Sequence, residues 1–218
     1  MTNPKIPLII WGASGHAKVI ADAAMLLGEY EILGYLDDTD PNRWNEPFYG
    51  GKILGGQEYL DKILHKRIKF IIGFGSCLKR LEKAEIVTGM GFELARIIHP
   101  DAYVSRSATI GPGTIVCVGA TVNASAEVHA NVIINSQAVV GHDCIIEDGV
   151  HICPAKLAGS TTIGRGSWIG IGSTIIDHIH IGKECYVGAG SLVVTDLPDK
   201  VLAYGVPATI QKGRYKTP

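Results

Sequence analysis

Two groups of residues have types and spacings that can do chemistry. The first is His142-Asp143, with His151 nine residues further on. A neutral imidazole can take a proton from an amine or hydroxyl nucleophile, and a carboxylate beside it raises its basicity and fixes its tautomer. Asp143 is the nearest acid in sequence. Adjacent residues on an extended strand point to opposite sides, so this pairing requires a corner in the chain. On spacing alone, ordinary polar corner residues are an alternative reading of both histidines. The second group is Gly12-Ala-Ser-Gly15-His16, Asp37-Asp38 and Gly75-Ser76. Glycines between a strand and a helix let backbone approach a ligand, and the free N–H groups of the helix start favour an anion such as a diphosphate. An acid closing the next strand can bind a ribose hydroxyl or a base. The full Gly-x-Gly-x-x-Gly pattern is absent, so a tight strand–helix turn explains Gly12 to Gly15 as well.

Other reactive side chains carry less. His178 and His180 form a pair with no third ligand nearby, so no metal is expected. His65, His99 and His129 read as structural. Five cysteines without a Cys-x-x-Cys pair read as small buried residues of a reducing compartment. Cys144 and Cys153 are the nearest candidates for a covalent nucleophile, and neither has an activating neighbour.

The elements that must hold these residues fall into two parts. Residues 1–99 read as a small α/β domain. Strands are expected at 6–11, 32–36, 68–74 and 92–98, and helices at 17–27, 57–66 and 78–88, with a loop over 39–56. Alternating strands and helices predict a small parallel sheet, a Rossmann-like half. Gly12 to Gly15, Asp37-Asp38 and Gly75-Ser76 then share the carboxyl edge of its strands, where such sheets bind ligands.

From residue 100 to 218 the pattern changes. An aliphatic or small residue recurs every sixth position: Val104, Ile110, Val116, Val122, Val128, Ile134, Val140, Ile146, Ile152 and Ala158. The series slips by one and resumes at Ile163, Ile169, Ile175, Ile181, Val187 and Val193. A period of six fits neither a helix nor a half-buried strand. It predicts a parallel β-helix of three flat faces, with the repeated residue pointing inward. Gly111, Gly141, Gly164, Gly170, Gly182 and Gly188 are expected at tight corners that use positive φ. Prisms with flat open faces can pack around a threefold axis, leaving long clefts suited to an extended pantetheine arm.

Composition narrows the class. A net charge of −1 over 218 residues gives no electrostatic footprint for nucleic acid. The only early apolar run, Ile6 to Trp11, is too short for a membrane span or a signal core. A soluble, cytoplasmic protein is expected.

The hexapeptide block resembles the left-handed β-helix acyltransferases. A more specific resemblance rests on Gly12-Ala-Ser-Gly-His16, Tyr35-Leu-Asp-Asp38, Gly141-His-Asp143, His151-Ile-Cys-Pro154, Leu157-Ala-Gly159 and Tyr204-Gly-Val-Pro-Ala208. Across nearly the whole chain these resemble the NeuD/PglD group of bacterial sugar acetyltransferases, which modify nucleotide-linked amino sugars or sialic acids. The resemblance implies a homotrimer that uses acetyl-CoA. It implies His142 as the general base toward a sugar 4-amino group, Asp143 as its partner, and His151 as a contact of the acetyl donor. Backbone at Gly159, Ile171 and Ala189 would line the CoA cleft. Ser14, Gly15, His16, Asp37, Asp38, Gly75 and Ser76 would form the sugar-nucleotide site, with the acids near uracil. One departure is visible: Pro154 is followed directly by Ala155, where members typically have Pro-Gly-Ala, so the slip falls at the expected CoA coil.

The implied activity is N-acetylation of a UDP-linked amino-dideoxy sugar of the bacillosamine type. O-acetylation of sialic acid or another sugar hydroxyl is an alternative, as is a non-catalytic trimeric scaffold that binds nucleotide sugars. A γ-class carbonic anhydrase would use the same coil, but His129, His142 and His151 do not match a tight zinc set.

Overall fold

A computed structural model describes residues 4–63 and 67–211. The first part is a sheet of order β3-β4-β2-β1-β5-β6. Its strands are β1 (Ile6–Trp11), β2 (Tyr30–Leu36), β3 (Pro47–Phe48), β4 (Gly51–Gly55), β5 (Lys69–Ile72) and β6 (Glu93–Leu94). Helix α1 spans Gly15–Leu27 and α2 spans Cys77–Gly89. Strand β1 is a continuous apolar run because both faces of the sheet are covered. Leu8 and Ile10 pack with α1, while Ile9 and Trp11 pack with Ala84 and Val87 of α2. After β1 the chain turns one way to β2 and later returns on the other side at β5. The carboxyl ends of β1 and β5 therefore flank the switch point where such sheets bind ligands.

Three expectations are corrected here. The loop over 39–56 contains a hairpin: β3 and β4 pair antiparallel, and β4 joins β2 in parallel. Its apolar signal is too short to show a period, since Ile53 is its one large core residue. The helix expected at 57–66 is a short 3-10 helix, Gln57–Lys62, and Leu64 to Lys66 lie outside the described residues. The strand expected at 92–98 is two strands. Its first half, β6, ends the sheet, and Ile97–Ile98 pairs with Ile115–Val116. The chain thus enters the coil at Ile97.

The coil has three parallel faces. The first runs Ile97–Ile98, Ile115–Val116, Ile133–Ile134, His151–Ile152, Trp168–Ile169, Tyr186–Val187 and Leu202–Gly205, with Ala208–Ile210 added antiparallel. The second runs Tyr103–Val104, Thr121–Val122, Val139–Val140, Lys156–Leu157, Thr174–Ile175 and Leu192–Val193. The third runs Thr109–Ile110, Glu127–Val128, Ile145–Ile146, Thr162–Ile163 and His180–Ile181. The second residue of each pair points into the prism, as the sixfold period predicts.

The slip lies earlier than the series implies. Val140 pairs with Leu157, Ile146 with Ile163 and Ile152 with Ile169, one residue short of the eighteen that separate Val116 from Ile134. Leu157 is the inward residue at 2% exposure, and Ala158 is exposed. The missing residue belongs to the corner Cys153-Pro154-Ala155. The six corner glycines are also corrected, because none has positive φ. The left-handed position is the third after each inward residue, held by Gly113, Asn131, Asp143, Gly149, Ser160 and their equivalents. Glycine directly after the inward residue answers a different demand. At Gly141 a Cβ would lie 2.6 Å from the carbonyl carbon of Ala158 on the next coil.

The two parts share a core. Outward residues Ile97, Ile115 and Ile133 of the first face pack in one cluster with Ala17, Ala21 and Ala24 of α1. Arg80 of α2 adds a polar clamp. Its side chain is 1% exposed and has no carboxylate partner among the described residues. It donates to the carbonyls of Phe74 and Gly75 in its own loop, and of Asn131, Gly149 and Val150 at the coil corners.

Candidate active site

The His142–Asp143 pair exists because of the corner. Asp143 takes φ 56°, which turns its side chain to the same side as its neighbour's. Asp143 Oδ2 lies 2.6 Å from His142 Nδ1. A carboxylate there favours the tautomer with its proton on Nδ1 and the lone pair on Nε2. Both side chains are well exposed, at 66% and 58%. Beneath the ring, Ser160 N–H donates to the His142 carbonyl at 2.8 Å. A side chain at Gly159 would run into the imidazole, so glycine leaves the ring its place. Ile171 (59% exposed) and Ala189 stand at the neighbouring corner, where Gly190 N–H donates to the Ile171 carbonyl at 2.8 Å. Between these corners runs the second face, with outward residues Val139, Lys156, Thr174 and Leu192.

A cleft of about 540 Å³ opens over the switch point, lined in part by Ser14, Asp38, Thr39, Gly75, Ser76, Lys79, Lys83 and Trp168. Ser14 and Ser76 are the N-caps of α1 and α2, and neither hydroxyl is used as a cap. Two helix starts and two lysines converge there, an arrangement that favours an anion. Gly12 has φ 138°, and a Cβ there would lie 2.9 Å from the Gly73 carbonyl oxygen. Glycine lets the two strand ends close on one another.

The two aspartates differ. Asp37 is buried at 4% exposure. It accepts from Thr39 and pairs with Arg43 at 2.7 Å, which shapes the loop after β2. Asp38 lines the cleft. It accepts from Trp11 Nε1 at 3.1 Å and Gln57 N–H at 2.7 Å, and pairs with Lys83 at 2.8 Å.

His151 sits with the cleft residues, on the first face. It is 4% exposed, with Nδ1 3.3 Å from the Gly75 carbonyl and Nε2 3.3 Å from Asn135 Nδ2. The neutral ring donates from Nδ1 and accepts at Nε2. Its centroid lies 6.2 Å from that of His16 and 4.1 Å from that of Trp168. Burial, then the nearby Arg80 guanidinium, lowers His151 to about 3 and His16 to about 4. His16 Nε2 is buried with no hydrogen-bond partner among the described residues.

The site residues therefore form two groups. Ser14, Gly15, His16, Asp38, Gly75, Ser76 and His151 gather around the cleft on the first face. His142, Asp143 and Gly159 occupy the corner between the second and third faces, the vertex of the prism opposite the first face. Within one chain His142 points away from the cleft. Sequence reading missed Lys79, Lys83, Arg80 and Trp168. The three cations sit on an amphipathic helix, where charge reads as a solvated face. Trp168 occupies an outward hexapeptide position, which has no periodic signal. The five cysteines are free and buried. Among the described residues no group of three or more His, Cys, Asp or Glu could hold a metal ion, and no helix is long and apolar enough to cross a membrane.

Residues 7–87 match the PglD N-terminal domain family, and residues 160–195 match the bacterial transferase hexapeptide family. The acetyltransferase domain of PglB from Neisseria gonorrhoeae is 35% identical, over 95% of this chain and 100% of that one, with a TM-score of 0.90. It has also been solved in complex with acetyl coenzyme A. Perosamine N-acetyltransferase from Caulobacter crescentus is 33% identical, over 97% of this chain and 99% of that one, with a TM-score of 0.89. That structure is of a histidine-to-asparagine mutant in complex with CoA and GDP-perosamine. A dTDP-3-amino-3,6-dideoxy-alpha-D-galactopyranose 3-N-acetyltransferase from Aneurinibacillus thermoaerophilus is 47% identical over 53 residues, 24% of this chain and 28% of the relative. The chain spans about a quarter to two fifths of the length of the curated relatives it matches. The sheet, the coil and the end-to-end matches together define a left-handed β-helix acetyltransferase. Within that class the relatives matched end to end include a perosamine N-acetyltransferase, and the chain belongs to the NeuD/PglD-type sugar acetyltransferases.

Proposed function

We propose that the protein transfers the acetyl group of acetyl-CoA to the 4-amino group of a UDP-linked amino-dideoxy sugar, with His142 as general base. The observation that carries this reading is the exposed His142–Asp143 pair at 2.6 Å, with Nε2 free to accept a proton. A sugar 4-ammonium is mostly protonated near neutral pH, and its deprotonated form is the nucleophile. The amine lone pair attacks the thioester carbonyl, the C–N bond forms, and the C–S bond breaks. Going from ammonium to amide the nitrogen loses two protons: the first leaves to solvent before attack, and the second passes to His142 Nε2 and on to the departing CoA sulfur. Direct attack suits a site whose Cys144 and Cys153 thiols are pushed up by burial.

The nucleotide would lie in the cleft of the first face, its diphosphate at the starts of α1 and α2. Acetyl-CoA would lie along the second face between Gly159 and the Ile171–Ala189 corner, where exposed backbone can receive an extended pantetheine. Because His142 stands at the opposite vertex from the cleft, the reading requires a homotrimer in which the base of one copy faces the cleft of the next. His151, beside Gly75 and Trp168, then stands where sugar and thioester meet. Acetyl-CoA and nucleotide sugars are both cytoplasmic metabolites, which places the reaction there.

The test is release of CoA thiol with UDP-, GDP- and dTDP-linked 4-amino sugars and with sialic acid. The reading expects turnover with the UDP-4-amino sugar and none with sialic acid. His142→Ala should lower kcat by about 100-fold or more, and sedimentation should give a trimer. Turnover of sialic acid alone would make the enzyme an O-acetyltransferase. An unchanged rate in His142→Ala would remove the base assignment.

A further inference from the structure

We propose that Trp168 is the wall against which the hexose of the nucleotide sugar packs, so that it fixes the angle at which the acceptor amine is presented. This rests on the sugar-nucleotide reading given above. The carboxyl ends of β2, β1 and β5 lie side by side in that sequence. They contribute Asp38 and Thr39, then Ser14, then Gly75 and Ser76 to the cleft, and Trp168 of the coil closes its far side. The anion-favouring centre of this row is the pair of helix starts with Lys79 and Lys83. A nucleoside diphosphate sugar with its diphosphate there has two ends to place. Acetyl transfer is the work of the coil, so the hexose must lie on the coil side and the nucleoside on the β2 side. The hexose then meets Trp168.

Trp168 suits that task. It is an outward residue of the first face. Farther along the same face Ile97, Ile115 and Ile133 are covered by α1, whereas Trp168 reaches the cleft half-buried. Its neighbours hold the indole still: His151 lies against it at 4.1 Å, tilted by 51°, and Tyr186 stacks at 6.0 Å with 18° between planes. Its benzo edge stands over Gly75, where a Cβ would lie 3.9 Å from Cη2 and Cζ3. No hydrogen-bond partner holds Nε1–H among the described residues, so the wall also offers one donor. Pyranose rings carry C–H groups, which gain dispersion energy against an aromatic surface and lose no hydrogen bond in doing so.

The experiment separates the sugar from the nucleotide. Calorimetry would measure binding of UDP and of a UDP-4-amino sugar (with GDP and dTDP pairs in parallel) to wild type, Trp168→Leu and Trp168→Phe. The free nucleoside diphosphate should bind all three proteins equally. The sugar nucleotide should bind Trp168→Leu about tenfold more weakly than wild type, with Trp168→Phe between them. KM for acetyl-CoA should not change. The proposal is overturned if the sugar nucleotide binds all three equally, or if nucleotide and sugar nucleotide weaken together. Wild type that binds no nucleoside diphosphate and no sugar nucleotide would overturn the parent reading itself, a separate and recognisable result.

Discussion

At the scale of residues, the candidate site holds two kinds of histidine. His142 is exposed and held by one carboxylate from the side and by the absence of a side chain below. Gly159→Ala should push the ring off Asp143, because a Cβ there occupies the space of the imidazole. We expect kcat to fall about tenfold or more while thermal stability stays within a few degrees, as read by thiol release and by melting. An unchanged kcat would mean that Asp143 does not need to face the ring. His16 and His151 are of the other kind, both neutral: His151 is buried, and His16 is half-buried with its Nε2 enclosed. In the unfolded chain each titrates near 6.5, and in the fold near 4 and near 3. Between those values the unfolded chain binds more protons, so acid favours unfolding. Stability from this pair is therefore complete above about pH 6.5 and declines as pH falls toward about 4 for His16 and about 3 for His151. Melting temperatures across this range should show the slope, and His16→Gln with His151→Asn should flatten it. A slope unaffected by the double substitution would assign acid lability elsewhere.

At the scale of elements, the coil is a stack in which each aliphatic residue meets its equivalent one turn away. Such a column tolerates a shortened corner as long as the inward residue stays in register, and that is what the corner at Pro154 does. The sixfold period was legible over sixteen positions, yet it placed the slip one strand late, because Ala158 is small enough to pass for an inward residue. Pairing decides the matter by seating Leu157 opposite Val140. Leu157→Ala should cost about 2–5 kcal/mol, and Ala158→Ser should stay within about 0.5 kcal/mol, as measured by denaturant midpoints. Equal costs would restore the later slip. The hairpin of β3 and β4 was not legible for a different reason. Ile53 alone gives no period, and the pairing of β4 with β2 is a long-range event.

At the scale of the molecule, the α/β part and the coil behave as one body because α1 seats on the first face and Arg80 ties α2 to two coil corners. A buried guanidinium that donates to five backbone carbonyls is a demanding arrangement, since each carbonyl left without a donor costs about 1–3 kcal/mol. Arg80→Met should lower unfolding free energy by at least about 3 kcal/mol, and Arg80→Lys should recover only part of it, because one ammonium cannot reach both corners. Denaturant unfolding of the two variants checks this. A cost below about 1 kcal/mol for Arg80→Met would show that α1 packing alone joins the parts.

Local chemistry and period were in the sequence. The sixfold spacing required a coil, the strand–helix alternation required a parallel sheet, and His142 beside Asp143 was readable as an acid–base pair. These are properties of neighbours along the chain, which pattern records. Tertiary structure alone decided the rest. The left-handed backbone at Asp143 makes the pair, Thr39 and Arg43 take up the carboxylate of buried Asp37, and His142 and Trp168 stand on different sides of one prism. None of these follows from spacing, because each depends on which residues the fold brings together from distant turns.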